Sequence, residues 1–70
     1  MTHFKNAVAA YLNHLTCLRQ GSKYEAESFL QMAKNFAAKH KAENNLRGIV
    51  MCDVIDTAVD IRWGLRKAAA

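Results

Sequence analysis

Apolar residues in this chain recur at alternating intervals of three and four, the spacing of helices with one buried face. The first series is Phe4, Val8, Tyr11, Leu12, Leu15 and Leu18, with Ala7, Ala9 and Ala10 between them. Thr2 stands where an N-cap is needed and the pattern stops at Gly21, so a helix is predicted over about 3–20, roughly 27 Å long. A second series, Ala26, Phe29, Leu30, Ala33, Phe36, Ala37 and His40, predicts a helix over about 23–43. Lys39, His40 and Lys41 place positive charge at its C-terminal, dipole-negative end.

Between the two series lies Gln20-Gly21-Ser22-Lys23-Tyr24-Glu25, a helix stop and a helix start back to back. Glycine relaxes into the left-handed conformation that ends helices, and Ser-x-x-Glu is the capping box that opens them. Two long helices joined by so short a corner read as an antiparallel hairpin. Asn44-Asn45 supplies the next break, because asparagine tolerates the left-handed cap and also serves as an N-cap.

The third segment is predicted as a helix over about 46–67. Ile49-Val50-Met51-Cys52 and Val54-Ile55 are rich in β-branched residues, but no second strand exists for them to pair with. At 100° per residue, Val50, Met51, Cys52, Val54, Ile55, Ala58, Val59 and Ile61 cover roughly 200° of the helix surface, more than one neighbour can bury. The helix must therefore lie between the first two or offer a second face to another molecule. The expected fold is all-α, a three-helix up-down-up bundle built on the helical hairpin, forming one domain over 1–70 and dimeric. Ala68-Ala69-Ala70 is expected to fray.

Composition narrows the class. Seventy residues are near the lower limit for a self-sufficient core, which favours oligomerisation. Apolar residues make up 51% of the chain and proline is absent, a composition of packed helices rather than of a disordered tail. Cys17 and Cys52 fall inside apolar patterns, where free cysteine acts as a small hydrophobe, so a reducing compartment is expected. A leader peptide and a membrane-spanning run are both lacking, and the expected location is the cytoplasm, without membrane contact. Net charge is +4, which leaves nucleic acid and acidic partners open without choosing between them.

Few constellations carry chemistry. Asp53, Asp56 and Asp60 share one side of the third helix within about 60°. A cation wants its oxygens around one point, whereas this row is strung along roughly 10 Å of helix, so it suits a solvated face or a basic protein partner better. His14, Cys17, His40 and Cys52 offer imidazole and thiolate ligands from all three helices, but without the paired spacings that mark zinc sites or the orienting third group of a Cys/His nucleophile. Packing explains them more simply, and neither metal nor cofactor is expected.

In an up-down-up bundle, one pole gathers His3, Lys5, Lys39, His40, Lys41 and Arg47 against a single acid, Glu43. The other gathers Arg19, Lys23, Arg62, Arg66 and Lys67, with Glu25 and Glu27 to neutralise them. The first pole, through Lys5, Lys39, Lys41 and Arg47, is the better candidate for an anion or nucleic-acid contact, although helix-dipole compensation accounts for part of it. Long antiparallel helices and an aspartate row argue against a helix-turn-helix, and the scattered single glycines do not form a phosphate loop.

Trp63, beside Arg62, sits at the border of the apolar arc and the acidic row, placed either to anchor a partner or to close the core. Tyr11 and Tyr24 are expected to seal opposite edges of the hairpin. The reading that follows is a non-enzymatic, homodimeric helical module that binds a protein partner through Ile49, Asp53, Asp56, Asp60 and Trp63. The alternative is a small basic nucleic-acid-binding regulator.

Overall fold

The chain is all-α in the computed structural model, which describes the backbone of residues 2–69 and the side chains of residues 2–65. Its helices are α1 (Thr2–Gln20), α2 (Lys23–Glu43) and α3 (Val50–Ala69). Thr2, expected as the N-cap of the first helix, is itself helical, and α3 runs on through Ala68 and Ala69, where fraying was expected; Met1 and Ala70 lie outside the described residues.

The first corner is a Schellman turn. Gly21 adopts φ +82°, its N–H donates to the Leu18 carbonyl at 3.1 Å, and the Ser22 N–H reaches back to Cys17 at 2.9 Å. The capping box does not form. Ser22 sits at φ −86°, ψ 73° and its side chain makes no capping bond, although its carbonyl accepts the Ala26 N–H at 2.9 Å. Its amide is already engaged by the Cys17 carbonyl, so the reciprocal half of the box, Glu25 reaching back to that N–H, has lost its donor.

Beyond this corner α1 and α2 lie side by side, their residues meeting in reverse order. His14 bonds Ala26 near the corner, Phe4 packs on His40, and His3 meets Glu43 at the far end. The seam is lined by small residues: Ala10 and Cys17 of α1 and Ala26 and Ala33 of α2 are buried, while Phe29, Leu30 and Phe36 are only half-buried. Alanines let the two backbones approach closely, which leaves the larger side chains on the flanks.

At the second corner Asn45 takes φ 52°, and the Leu46 N–H turns back to the Lys41 carbonyl at 3.1 Å. The Asn44 amide nitrogen donates to the His40 carbonyl at 2.9 Å and to His40 Nδ1 at 3.1 Å, so this buried histidine is held by hydrogen bonds at the corner. The reversal consumes residues that were expected to be helical. α3 starts at Val50 rather than Leu46, and its first turn is tightened by the Cys52 N–H donating to Ile49 at 3.0 Å.

α3 lays Val50, Val54 and Ala58 against Ala7 and Val8 of α1 and Ala37 of α2, with Phe4, Tyr11, Leu12, Phe36 and Met51 packed around them. The largest fully buried side chain in the described chain is Val54. A core of alanines and valines removes little apolar area per residue from water, because hydrophobic stabilisation scales with that area. The wide apolar arc of α3 is thus covered along a single stripe. Cys52, expected inside the arc, is exposed, whereas Cys17 is buried. Tyr24, expected to seal an edge, is exposed as well, while Tyr11 packs on the core.

Candidate interaction surface

The side of α3 turned away from the core carries Asp53, Asp56 and Asp60, all exposed, together with Trp63, which is 55% exposed. On the helix these four positions fall within an arc of about 80°. Ile49, expected to extend the same row, stands just before the first turn of α3 and is 73% exposed. Carboxylates with a large aromatic at one end form a surface that can receive a basic or mixed helix.

Trp63 also borders an open groove of about 730 Å³ that it lines with Val59, Arg62 and Leu65 of α3 and Arg19 of α1. The sequence reading assigned Arg19 to charge neutralisation by Glu25 and Glu27. Among the described residues the one contact between a basic and an acidic side chain is His3 Nε2 to Glu43 Oε2, at 3.2 Å, and Arg19 lines this groove. Arg66 and Lys67, placed at the same pole, have side chains outside the described part. The groove was missed because its members come from two helix ends. A signal for it was present in the spacing Ala58, Ile61, Leu65, which carries the core stripe of α3 onward.

At the other pole Lys5, Lys39, Lys41 and Arg47 are exposed. Lys41 and Arg47 line a shallow groove at the second corner with Ala38, Ala42, Asn45 and Leu46. The Lys39 ammonium lies 5.6 Å from the centre of the Phe36 ring, within range of a cation–π contact. His40 is buried against Phe4 and so does not join the basic surface. Glu43, the acid of this pole, is engaged by His3.

The four zinc candidates are kept apart. His14 donates from Nδ1 to the Ala26 carbonyl near the first corner, His40 sits at the opposite end of the hairpin, and Cys52 is exposed on α3. Among the described residues no group of three or more His, Cys, Asp or Glu side chains converges on a point that could hold a metal. Among them, too, no helix is long and apolar enough to cross a membrane. Comparison of the chain with known protein families, with characterised proteins and with solved structures gave no match.

Proposed function

We propose that this chain is a non-enzymatic, cytoplasmic interaction module, an up-down-up three-helix bundle that self-associates and presents α3 to a protein partner. The observation that carries this reading is the exposure of a large aromatic, Trp63, in line with three exposed carboxylates on the outer side of one helix. Tryptophan is among the residue types most enriched at binding hot spots, and a row of aspartates steers and orients a partner bearing Lys or Arg. The separation of the histidines, cysteines and aspartates supports binding over catalysis, because acid–base or nucleophilic chemistry needs such groups converging in one pocket. An affinity capture comparing the wild type with Asp56→Lys and Trp63→Ala tests it. A specific protein partner should be lost from both variants, and its full retention by both removes α3 as the interface.

A second reading, nucleic-acid binding at the basic pole, draws support from the pairing of Glu43 with His3, which leaves Lys5, Lys39, Lys41 and Arg47 facing solvent. It requires binding that weakens steeply with salt and declines when Lys39, Lys41 and Arg47 are neutralised. Absent or salt-insensitive binding to duplex DNA and RNA rules it out.

A further inference from the structure

The outer side of α2 carries a charged row of its own. Lys34 and Lys41 stand seven residues apart with Ala38 and Ala42 beside them, all four exposed and within an arc of about 100° on the helix. The segment that follows α2 folds back along this side. The groove that Lys41 and Arg47 line at the second corner continues into another, lined by Lys34 and Ile49, and Ala38 and Lys41 belong to both. Among the described residues no acid lines either part. Glu43, two residues beyond Lys41, contacts His3 instead, and Glu27, two turns before Lys34, ends the basic stretch. Leu46 is 40% and Ile49 73% exposed, so the groove has cations and large aliphatic side chains over a floor of alanine. A groove so made takes an amphipathic helix with acids along one flank, and the alanine seam of α1 and α2 shows how closely such a floor lets a helix approach.

α3 presents a helix of that kind. Asp53 and Asp60 are also seven residues apart, so on either helix the two charges are separated by roughly 10 Å along the axis and about 20° around it. Asp56 stands between them, and Val59 and Trp63, 52% and 55% exposed, border the row. Arg62 lies roughly 160° or more around the helix from Asp53 and Asp60, so the row is acidic throughout. Within one chain the lysine and aspartate rows do not meet, because among the described residues the one contact between a basic and an acidic side chain is that of His3 with Glu43.

Two copies can bring these rows together in three ways. Groove on groove sets Lys34, Lys41 and Arg47 against themselves, and aspartate row on aspartate row sets Asp53, Asp56 and Asp60 against themselves. Like charges brought together in this way oppose association. Only α3 of one copy on the groove of another sets unlike charges of equal spacing face to face.

We infer that the outer side of α3 of one copy docks in the groove along α2 of a second copy, with Asp53 and Asp60 facing Lys34 and Lys41. Val59 and Trp63 then meet the apolar residues of the groove. This rests on the self-associating module proposed above and names the two surfaces that make its contact. The contact is heterologous, since it joins different patches of the same chain. Each pair keeps one unused α3 side and one unused groove, so assembly runs head to tail past two copies until it closes into a ring.

Sedimentation equilibrium from micromolar to hundreds of micromolar protein tests this, with far-ultraviolet circular dichroism as the check on folding. The wild-type mass should climb with concentration through twice the chain mass and beyond, less so at high salt, while emission of Trp63, the sole tryptophan, shifts to the blue. Lys34→Glu with Lys41→Glu should weaken association at least roughly tenfold with helicity retained, and Ala38→Glu serves as a second groove variant should that pair fail to fold. Asp53→Asn with Asp60→Asn should weaken it as well. Mixed in equal amounts, the groove variant and the aspartate variant should form a pair of twice the chain mass and stop there, because each supplies the one surface the other lacks. A wild type that stays at the chain mass throughout overturns both this inference and the self-association it rests on. A wild type that stops at two copies, association untouched by the groove and aspartate variants, or a mixture that does not associate overturns the placement and leaves self-association standing. A chain that stays at its own mass and takes up duplex DNA through Lys34 and Lys41 assigns the groove to nucleic acid and overturns the inference too.

Discussion

His14 donates a hydrogen bond of 2.7 Å from Nδ1 to the carbonyl oxygen of Ala26, joining α1 to α2 next to the corner that connects them. A carbonyl can only accept, so the ring proton on Nδ1 is fixed by this contact. The imidazole also packs on Tyr11, with ring centres 5.4 Å apart. A polar residue on an otherwise apolar helix face is thereby explained as a tie between helices, and this use of the ring competes directly with any role as a metal ligand.

Replacing His14 should therefore weaken the hairpin. His14→Phe keeps a ring against Tyr11 and removes only the bond, at a cost of about 1 kcal/mol, while His14→Ala removes the packing too and costs about 2 kcal/mol. The measurement is the urea midpoint of each variant. A His14→Phe protein as stable as the wild type would show that the bond contributes nothing.

Two glycines should respond to alanine with opposite sign. At Gly21 a Cβ would meet no atom within 4 Å, but φ is +82°, so Gly21→Ala should cost about 1 kcal/mol through backbone strain alone. Gly64 lies inside α3 with open space around it, and Gly64→Ala should stabilise by about 0.5–1 kcal/mol by restricting the unfolded chain and favouring helix. Equal shifts of the same sign in thermal unfolding would contradict the helix bounds at one of the two sites.

Both the helix-stop at Gly21 and the two long helices were legible, because each depends on a local rule: a residue without a Cβ for positive φ, and three-and-four spacing from Phe4 to Leu18 and from Ala26 to His40. What remained hidden depends on competition. Leu46, Ile49 and Val50 continue an apolar pattern, and only the backbone reversal at Asn45 decides that the helix waits until Val50. Cys52 belongs to the apolar arc by composition, yet α1 and α2 bury the stripe of Val50, Val54 and Ala58, cover Met51 and Ile55 in part, and leave Cys52 exposed. The aspartate row was readable as an exposed side of α3. The groove beside Trp63 was not, since Arg19 reaches it from the end of another helix.

Ser22 gives a sharp instance of that competition. Ser-x-x-Glu predicts a capping side chain whose loss typically costs about 1 kcal/mol. In the folded chain the Ser22 hydroxyl makes no capping bond, and the Ser22 amide that Glu25 would reach is bonded to Cys17. Ser22→Ala should therefore change stability by less than about 0.5 kcal/mol. A loss of the full capping value in chemical denaturation would mean that the box forms in solution.

The two thiols should separate cleanly by reactivity. Cys52 is exposed on α3, whereas Cys17 is buried in the α1–α2 seam and its own carbonyl accepts the Ser22 N–H of the corner turn. A thiol reagent reaches a buried sulfur only when the surrounding structure opens, so its rate reports the stability of that region. With a disulfide-exchange chromophore in excess, one thiol per chain should react at the rate of an unfolded peptide and the second much more slowly. Cys52→Ser should abolish the fast phase and Cys17→Ser the slow one. Adding urea below the unfolding transition should accelerate only the slow phase, in proportion to the surface exposed by the opening. The same slow phase should slow further in Gly64→Ala and quicken in His14→Phe, because those substitutions act on the equilibrium that exposes Cys17. Two fast phases of equal rate would show that the alanine seam does not close over Cys17 in solution, and with it the close approach of α1 and α2 would be lost.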